Sequence, residues 1–304
     1  MLHPASPQAH DIATLFWVMM GVAWFGLALI TFLLALGWLR RKHESHGRER
    51  IAIALLIALG VAAPIVSLSA LFVWSDVVVL RATSAPNPAS TALTIEVTGH
   101  QWWWEVRYPG SAAVTANEIH VPVGLRVDLV GRSADVIHSF WIPQLNRKID
   151  LIPGRAQRIV LDADRPGRFR GQCYEFCGLQ HAHMGMEVVA QPLPEFRAWL
   201  KNMATDAHAP RTQLERRGRA VFLGQACSAC HQIRGTPAHA DVGPDLTHLQ
   251  TRAAIAGETL PNDHASLAFW VADPQHVKPG ARMPDLPLSG SQLRAVLTYL
   301  ESLK

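Results

Sequence analysis

Charge is scarce in this chain: only 17% of its 304 residues are Asp, Glu, Lys or Arg, and cysteine occurs just four times. With 49% hydrophobic residues, that scarcity excludes a disordered or fibrous polymer and calls for two or more cored domains. A basic patch beyond residue 75 is also missing. The net charge is +4 and the pI is near 9.1, but residues 76–204 carry 13 basic against 12 acidic side chains, and residues 205–304 carry ten against nine. Nucleic acid is therefore excluded as a partner. No internal repeat and no low-complexity tract interrupts the chain. Cys173, Cys177, Cys227 and Cys230 fall in two tight pairs, 49 residues apart, a spacing that suits ligation better than long-range stapling.

The apolar residues are unevenly placed. A mean hydropathy of +0.11 is high for a soluble protein, and residues 12–39 and 51–75 run for 28 and 25 positions without a charge. Each run exceeds the roughly 20 residues a helix needs to cross a bilayer. Lipid supplies no hydrogen bonds, so both runs must be helical, with Pro64 kinking the second rather than ending it. Between them Arg40, Arg41, Lys42, Arg48 and Arg50 make a basic loop, whereas residues 1–10 hold no Lys or Arg. The positive-inside rule puts that loop in the cytoplasm. A cleaved signal peptide is the alternative for the first run, but its apolar stretch exceeds an h-region of about 7–15 residues, and its charges follow rather than precede it. Residues 1–80 thus read as a retained transmembrane hairpin in the cell (inner) membrane. Everything after about residue 76 is expected on the extracytoplasmic, periplasmic side.

Residues 81–91 read as a linker. Beyond it, short β-branched runs at 93–97, 119–123, 126–130, 136–141, 157–161 and 186–190, split by Gly, Pro, Asn and Asp, predict a sandwich or barrel over 92–191. Residues 192–201 predict a short helix and 202–211 a hinge. Amphipathic stretches at 212–223 and 291–303 predict a helical domain over 212–304, with Leu293, Val296, Leu297 and Leu300 on one face.

Soft sulfur and imidazole crowd one segment: Cys173, Cys177, His181 and Met184 lie within 12 residues, a donor mixture that prefers copper or zinc. A blue-copper site needs a second His from an upstream strand, and His138 fits, but one cysteine is then surplus. Two thiolates can instead bridge two copper ions, each with a terminal His and weak outer ligands. Such a pair shares one electron with little rearrangement, which suits a relay. A closed zinc cluster is the competing reading of Cys-x3-Cys-x3-His, yet it has no use for Met184. His183 and Met186 are alternative donors whose spacing puts them on the opposite side of the strand or loop.

Several motifs together, Gly99-His100-Gln101-Trp102-Trp103-Trp104-Glu105, residues 135–143, Lys148-Ile149-Asp150-Leu151-Ile152-Pro153-Gly154-Arg155 and residues 172–184, closely resemble cytochrome c oxidase subunit II over nearly all of residues 12–200. The resemblance implies a cupredoxin-like β-sandwich carrying a dinuclear CuA centre. His138, Cys173, Cys177, His181 and Met184 match its side-chain ligands, and Glu175 the residue whose carbonyl binds copper. It also implies a magnesium ion at the Glu175 carboxylate, shared with the catalytic subunit, and makes Trp102 the tryptophan through which electrons come in. Trp103 and Trp104 read as packed aromatics. One departure stands out. The family opens its second helix with a Glu that feeds a proton path, followed by a Trp-Thr pair and a Pro, whereas Glu49 is followed by Arg50-Ile51-Ala52-Ile53, the setting of a solvated charge.

Cys227-Ser228-Ala229-Cys230-His231 is the attachment motif of covalent haem c, two thiols for the vinyl groups and a His for the iron. Met283, the single methionine after residue 203, is the expected second axial ligand, and His239, His248, His264 and His276 are taken as surface residues. This part resembles class I cytochrome c, including Gly243-Pro244-Asp245-Leu246, and the fusion resembles the caa3-type oxidases.

The whole reads as a multidomain membrane protein: a two-helix transmembrane hairpin, a cupredoxin-like β-sandwich and an all-α class I cytochrome c domain. The resemblance implies the electron-input subunit of a bacterial terminal haem-copper oxidase, with no catalytic residue of its own. The partners implied are catalytic subunit I, subunit III, membrane lipid, and a donor such as a cytochrome c or bc1 complex. Oxygen reduction with proton pumping would occur in subunit I. The alternatives are the equivalent subunit of a CuA-containing nitric oxide reductase and a copper-delivery protein.

Overall fold

The computed structural model describes residues 3–40 and 49–304, so most of the basic loop that orients the hairpin lies outside the described residues. Two long helices open the chain, α1 (Pro7–Arg40) and α2 (Glu49–Thr83), both longer than the charge-free windows. The extra turns carry Asp11, Asp76 and Arg81 near the helix ends, where long polar side chains reach water. Phe25 is 71% exposed and Phe72 73%, part of an outward apolar girdle that nothing among the described residues covers and that lipid satisfies. At Pro64 α2 does not end. The turn before it widens into a π-helical stretch, Ala58–Ala62, and the α-helix resumes over Ala63–Trp74.

The residues before α1 are stitched to the sandwich. The Ala5 amide donates to the Gln144 carbonyl (2.8 Å), the Asp164 amide donates to the Ala5 carbonyl (2.9 Å), and Gln8 Nε2 donates to Asp162 Oδ2 (3.0 Å). The start of α1 therefore lies on the same side as the domain into which α2 leads.

That domain is built from β1 (Leu93–His100), β2 (Trp103–Arg107), β3 (Val114–Ala116), β4 (Glu118–Pro122), β5 (Val127–Ser133), β6 (His138–Trp141), β7 (Ile149–Leu151), β8 (Gln157–Leu161), β9 (Gly167–Cys173) and β10 (Gly185–Gln191). Two five-stranded sheets form, in the orders β3-β2-β1-β5-β8 and β4-β10-β9-β6-β7. β1 runs parallel to β5 and β10 parallel to β4, the other neighbours being antiparallel. Ile95, Val97, Leu129, Ile119 and Val188, all fully buried, fill the space between the sheets. β2, β3, β7 and β9 were not foreseen: they are short or, in β9, carry Arg168 and Arg170 on the outward positions. The stretch 136–141 shortens to β6 because residues 133–136 turn, the Ser133 hydroxyl bonding the Val136 carbonyl.

The helix after the sandwich, α3 (Leu193–Met203), packs back on it through Phe196 and Met203. The third unit comprises α4 (Gln213–Gly224), the strand pair β11 (Ala254–Ile255) and β12 (Leu260–Pro261), α5 (His264–Ala272), α6 (Pro274–Val277) and α7 (Gly290–Glu301). Helices α4 and α7 both begin with capping boxes, Thr212 with Glu215 and Ser289 with Gln292, which satisfy the free amides of the first turn. They cross at Gly218, where a Cβ would fall 2.0 Å from the Ala295 carbonyl oxygen. His248 is not a surface residue. It is 1% exposed, with Nδ1 at 2.8 Å from the Lys304 carbonyl and Nε2 at 3.0 Å from that of Thr205, tying the chain's last residue to the linker. Replacing Gly218 by Val forces α4 and α7 apart. Thermal unfolding followed by circular dichroism should show the third unit destabilised by about 1–3 kcal/mol, with the sandwich unaffected.

Candidate metal centre and cofactor cleft

Strand pairing assembles the first site. β6 opens at His138 and β9 closes at Cys173, the two lying side by side with Phe140 opposite Cys173. The loop from Cys173 to Met184 then folds over the strand ends. Cys173 Sγ lies 3.9 Å from His138 Nδ1 and 3.3 Å from the Glu175 carbonyl oxygen, and Cys177 Sγ lies 3.6 Å from His181 Nδ1 and 3.8 Å from Met184 Sδ. The ligating atoms of His138, Cys173 and Cys177 all fall within 4.8 Å of one another. Cys173, Cys177 and Met184 belong to the sandwich's own core, so their positions are set by packing rather than by a mobile loop. Six donors in two sulfur-centred groups are more than one tetrahedral ion uses, and their softness fits copper.

Neither thiol is in a disulfide. The Cys177 thiol, as hydrogen-bond donor, draws Cys173 below the ordinary thiol range against the effect of burial, and the same interaction together with burial pushes Cys177 above it. The pair gives up one proton readily and resists losing the second, which is the behaviour expected of two sulfurs awaiting a cation between them.

Asp135 and Gln101, neither singled out from the sequence, complete the surroundings. Asp135 Oδ1 accepts from His138 Nε2 at 2.8 Å, leaving Nδ1 to face the sulfur, and Asp135 Oδ2 accepts from the Gln101 amide at 2.8 Å. Burial disfavours charge on both, yet hydrogen bonding to Cys173 and Asp135 raises His138, and hydrogen bonding to His138 and the Gln101 amide lowers Asp135. An acid three residues before a strand histidine was the available signal. Gln101 Nε2 (2.7 Å) and Trp102 Nε1 (2.9 Å) both donate to the Cys177 carbonyl.

The other sequence candidates separate cleanly. His183 Nδ1 faces Gln180 Oε1 at 2.7 Å and Met186 is buried in the sandwich core, so both are ordinary packing. The Glu175 carboxylate is half-exposed, with Lys148 Nζ at 3.9 Å, and among the described residues it joins no three-donor group. Glu49 is the first residue of α2, at the end of the hairpin away from the sandwich.

The second site is a cleft enclosing ≈ 1460 Å³ of empty space up to its open mouth, with Cys227, Cys230, His231 and Met283 all on its wall. His231 Nδ1 donates to the Pro244 carbonyl (2.8 Å), which leaves Nε2 bare for iron. Burial lowers its pKa and so favours the neutral, ligating ring. Met283 is fixed from behind by its carbonyl, which accepts from Gln275 Nε2 at 2.7 Å. His239, His264 and His276 are exposed and do not line the cleft. Phe222, Leu249, Leu267 and Leu300 give it the apolar walls a porphyrin requires.

The far wall of this cleft is not part of the helical unit. His100, Gln101, Trp102 and Trp103 of the sandwich line it. Trp102 is only 8% exposed, standing between the cleft and the Cys177 carbonyl. Trp103 stacks on His100 at 4.4 Å, and Trp104 is fully buried against Phe140.

Residues 111–191 match the family model described as cytochrome c oxidase subunit II, periplasmic domain, and residues 215–304 match the model for cytochrome c. A protein of Alkalihalophilus pseudofirmus called cytochrome c oxidase subunit 2 is 33% identical over 316 residues, an alignment covering 100% of this chain and 90% of the relative. The chain belongs to the cytochrome c oxidase subunit 2 family. The Bacillus subtilis member is 31% identical over 71% of this chain and 64% of its own length. The periplasmic domain of subunit II of cytochrome oxidase from Bradyrhizobium japonicum is 33% identical, over 39% of this chain and 96% of that one, with a TM-score of 0.37. The protein is thus an oxidase subunit II with a fused cytochrome c domain, a membrane protein with a periplasmic portion, and its two sites are those of copper and haem c. Replacing Asp135 by Ala frees the His138 ring. A copper titration read by EPR should show affinity lower by about 10–100-fold while haem attachment is unchanged.

Proposed function

We propose that this subunit is the electron-input arm of a haem-copper oxidase, carrying single electrons from an external donor, by way of haem c and a dinuclear CuA centre, to a catalytic subunit that reduces oxygen to water and pumps protons. One observation carries the reading: the cleft that presents Cys227, Cys230, His231 and Met283 is closed on its far side by Trp102, and Trp102 is hydrogen-bonded to the Cys177 carbonyl. When bound, the two cofactors supply one-electron stations in series. The residues do the rest. Cys227 and Cys230 would anchor the porphyrin and His231 and Met283 would hold the iron, where a thioether supplies the higher potential of a carrier. Cys173, Cys177, His138, His181, Met184 and the Glu175 carbonyl would hold the copper pair. Sandwich packing keeps water out, which limits reorganisation on charge change. Trp102 joins the two sites through its indole and the Cys177 peptide.

The exposed copper loop, with Phe176 at 77% and Leu179 at 79% exposure, suits burial against other subunits, among them the catalytic subunit I and subunit III. There the half-exposed Glu175 carboxylate, paired with Lys148, would be available to a magnesium ion completed by partner ligands. The hairpin crosses the inner membrane twice, with Glu49 at its cytoplasmic end as the candidate proton-path acid. The nearly neutral helical unit offers its open cleft mouth to a donor such as a cytochrome c or bc1 complex. Metal analysis and optical and EPR spectroscopy of the purified complex test this: a copper pair and a single covalent haem are expected per chain, with oxygen rather than nitric oxide consumed. Cys173→Ser should abolish or convert the copper signal and spare the haem, and Met283→Ala should lower the haem potential and spare the copper. Zinc, or a lone copper, overturns the reading.

A further inference from the structure

The helical unit grips the sandwich at one closely fitted point. The turn between β11 and β12 passes through Ala256, Gly257 and Glu258, all at positive φ (54°, 70° and 63°), and pushes its tip in beside Trp102 and the copper loop. The Gly185 amide donates to the Gly257 carbonyl at 2.9 Å. A Cβ on Gly257 would fall 2.8 Å from the His183 carbonyl and 2.9 Å from Lys278 Nζ, so no side chain fits there.

Lys278 follows α6 and is 3% exposed. Its Nζ donates to the carbonyl oxygens of Trp102 (2.9 Å), His183 (2.8 Å) and Ala256 (3.1 Å). None of the ion pairs among the described residues includes it. Three acceptors are satisfied together only by the three N–H donors of the ammonium form, and a neutral amine leaves one of them bare. Burial pulls the lysine down to about 7, and the charge of the Cys177 sulfur opposes that pull. The placement matters. The Trp102 carbonyl belongs to the residue that closes the haem cleft, and the His183 carbonyl lies between His181 and Met184. Other contacts cross the same interface, Gln180 Nε2 to the Pro279 carbonyl (2.7 Å), Arg252 Nε to Thr115 Oγ1 (3.3 Å), and Arg234 to the carbonyls of Ala112, Met203 and Thr205, but of these side chains Lys278 is the one that bonds both Trp102 and the copper loop.

We propose that Lys278 is a positioning residue, a buried ammonium clamp that holds the haem cleft against the copper loop and thereby sets the rate of electron exchange between the two centres. This rests on the two-centre reading above. The step governed is a one-electron exchange: the iron is oxidised, the copper pair is reduced, and no proton or covalent bond moves. Because its rate depends on how closely and how firmly the two sites are held, loosening the clamp slows it while leaving each centre intact.

Lys278→Met in the full chain tests this. Hydrogen exchange reads the interface through the amides of Gly185 and Ala253, the latter donating to Glu118 Oε1 at 2.9 Å, since both bonds cross from one unit to the other. Exchange at these two amides should rise about tenfold or more while the amides of β5 and α7 keep their protection. Optical and EPR signatures of both centres should be unchanged. Equilibration after flash reduction of haem c should slow about tenfold or more and become dependent on solvent viscosity, as a step gated by domain motion does. Lys278→Arg, a cation with several N–H donors, should retain most of the wild-type rate. Gly257→Ala, which keeps the lysine but removes the room for the tip, should reproduce the loosening. Unchanged exchange at Gly185 and Ala253, an unchanged electron rate, or loss of protection extending through β5 and α7 in both variants overturns the proposal, the last marking a general structural role. Absence of the paired-copper or haem signal from the wild-type protein instead overturns the two-centre reading.

Discussion

Two sulfur atoms that repel each other as thiolates are held within 4.8 Å of one another by the end of one strand and one loop, inside an apolar core. The sandwich has to tolerate this local frustration, and it does so by surrounding the pair with groups that favour one negative charge: His138 braced by Asp135, His181, and the peptide amides of the loop. A cation removes the frustration. The site is therefore prepared by folding and completed by metal, and the cost of assembling it is met by burial of residues such as Phe140, Trp104 and Met186 that are not among its donors.

The helical unit adds its cofactor cleft without enclosing it. Its cleft lacks one wall, and the sandwich supplies that wall with Trp102 and its neighbours. Each unit thereby covers a polar or aromatic edge of the other, and the interface seals the cleft. Trp102 is buried under the chain's own helical unit, while the mouth of the cleft stays open.

Residues whose chemistry is local were legible from the sequence. Cys173, Cys177, His181 and Met184 lie in one loop, and Cys227, Cys230 and His231 in one turn, so ligand spacing alone placed them side by side. His138 and Met283 lie far off in the chain yet stood out by residue type. The membrane helices were legible because apolar length has few other uses. Strand β9 was not, because Arg168, Arg170 and two glycines hide its alternation around Phe169. The docking of the two outer units was not legible either. Lys278 binds backbone carbonyls, and a carbonyl looks the same in every residue. His248 was read as a surface residue for the same reason: its partners are two main-chain oxygens.

The stitches from Ala5 and Gln8 to residues 144, 162 and 164 bear on biogenesis. They join the first turn of the hairpin to loops made more than a hundred residues later, so these bonds form only when the leading end of the chain lies on the same side as the sandwich.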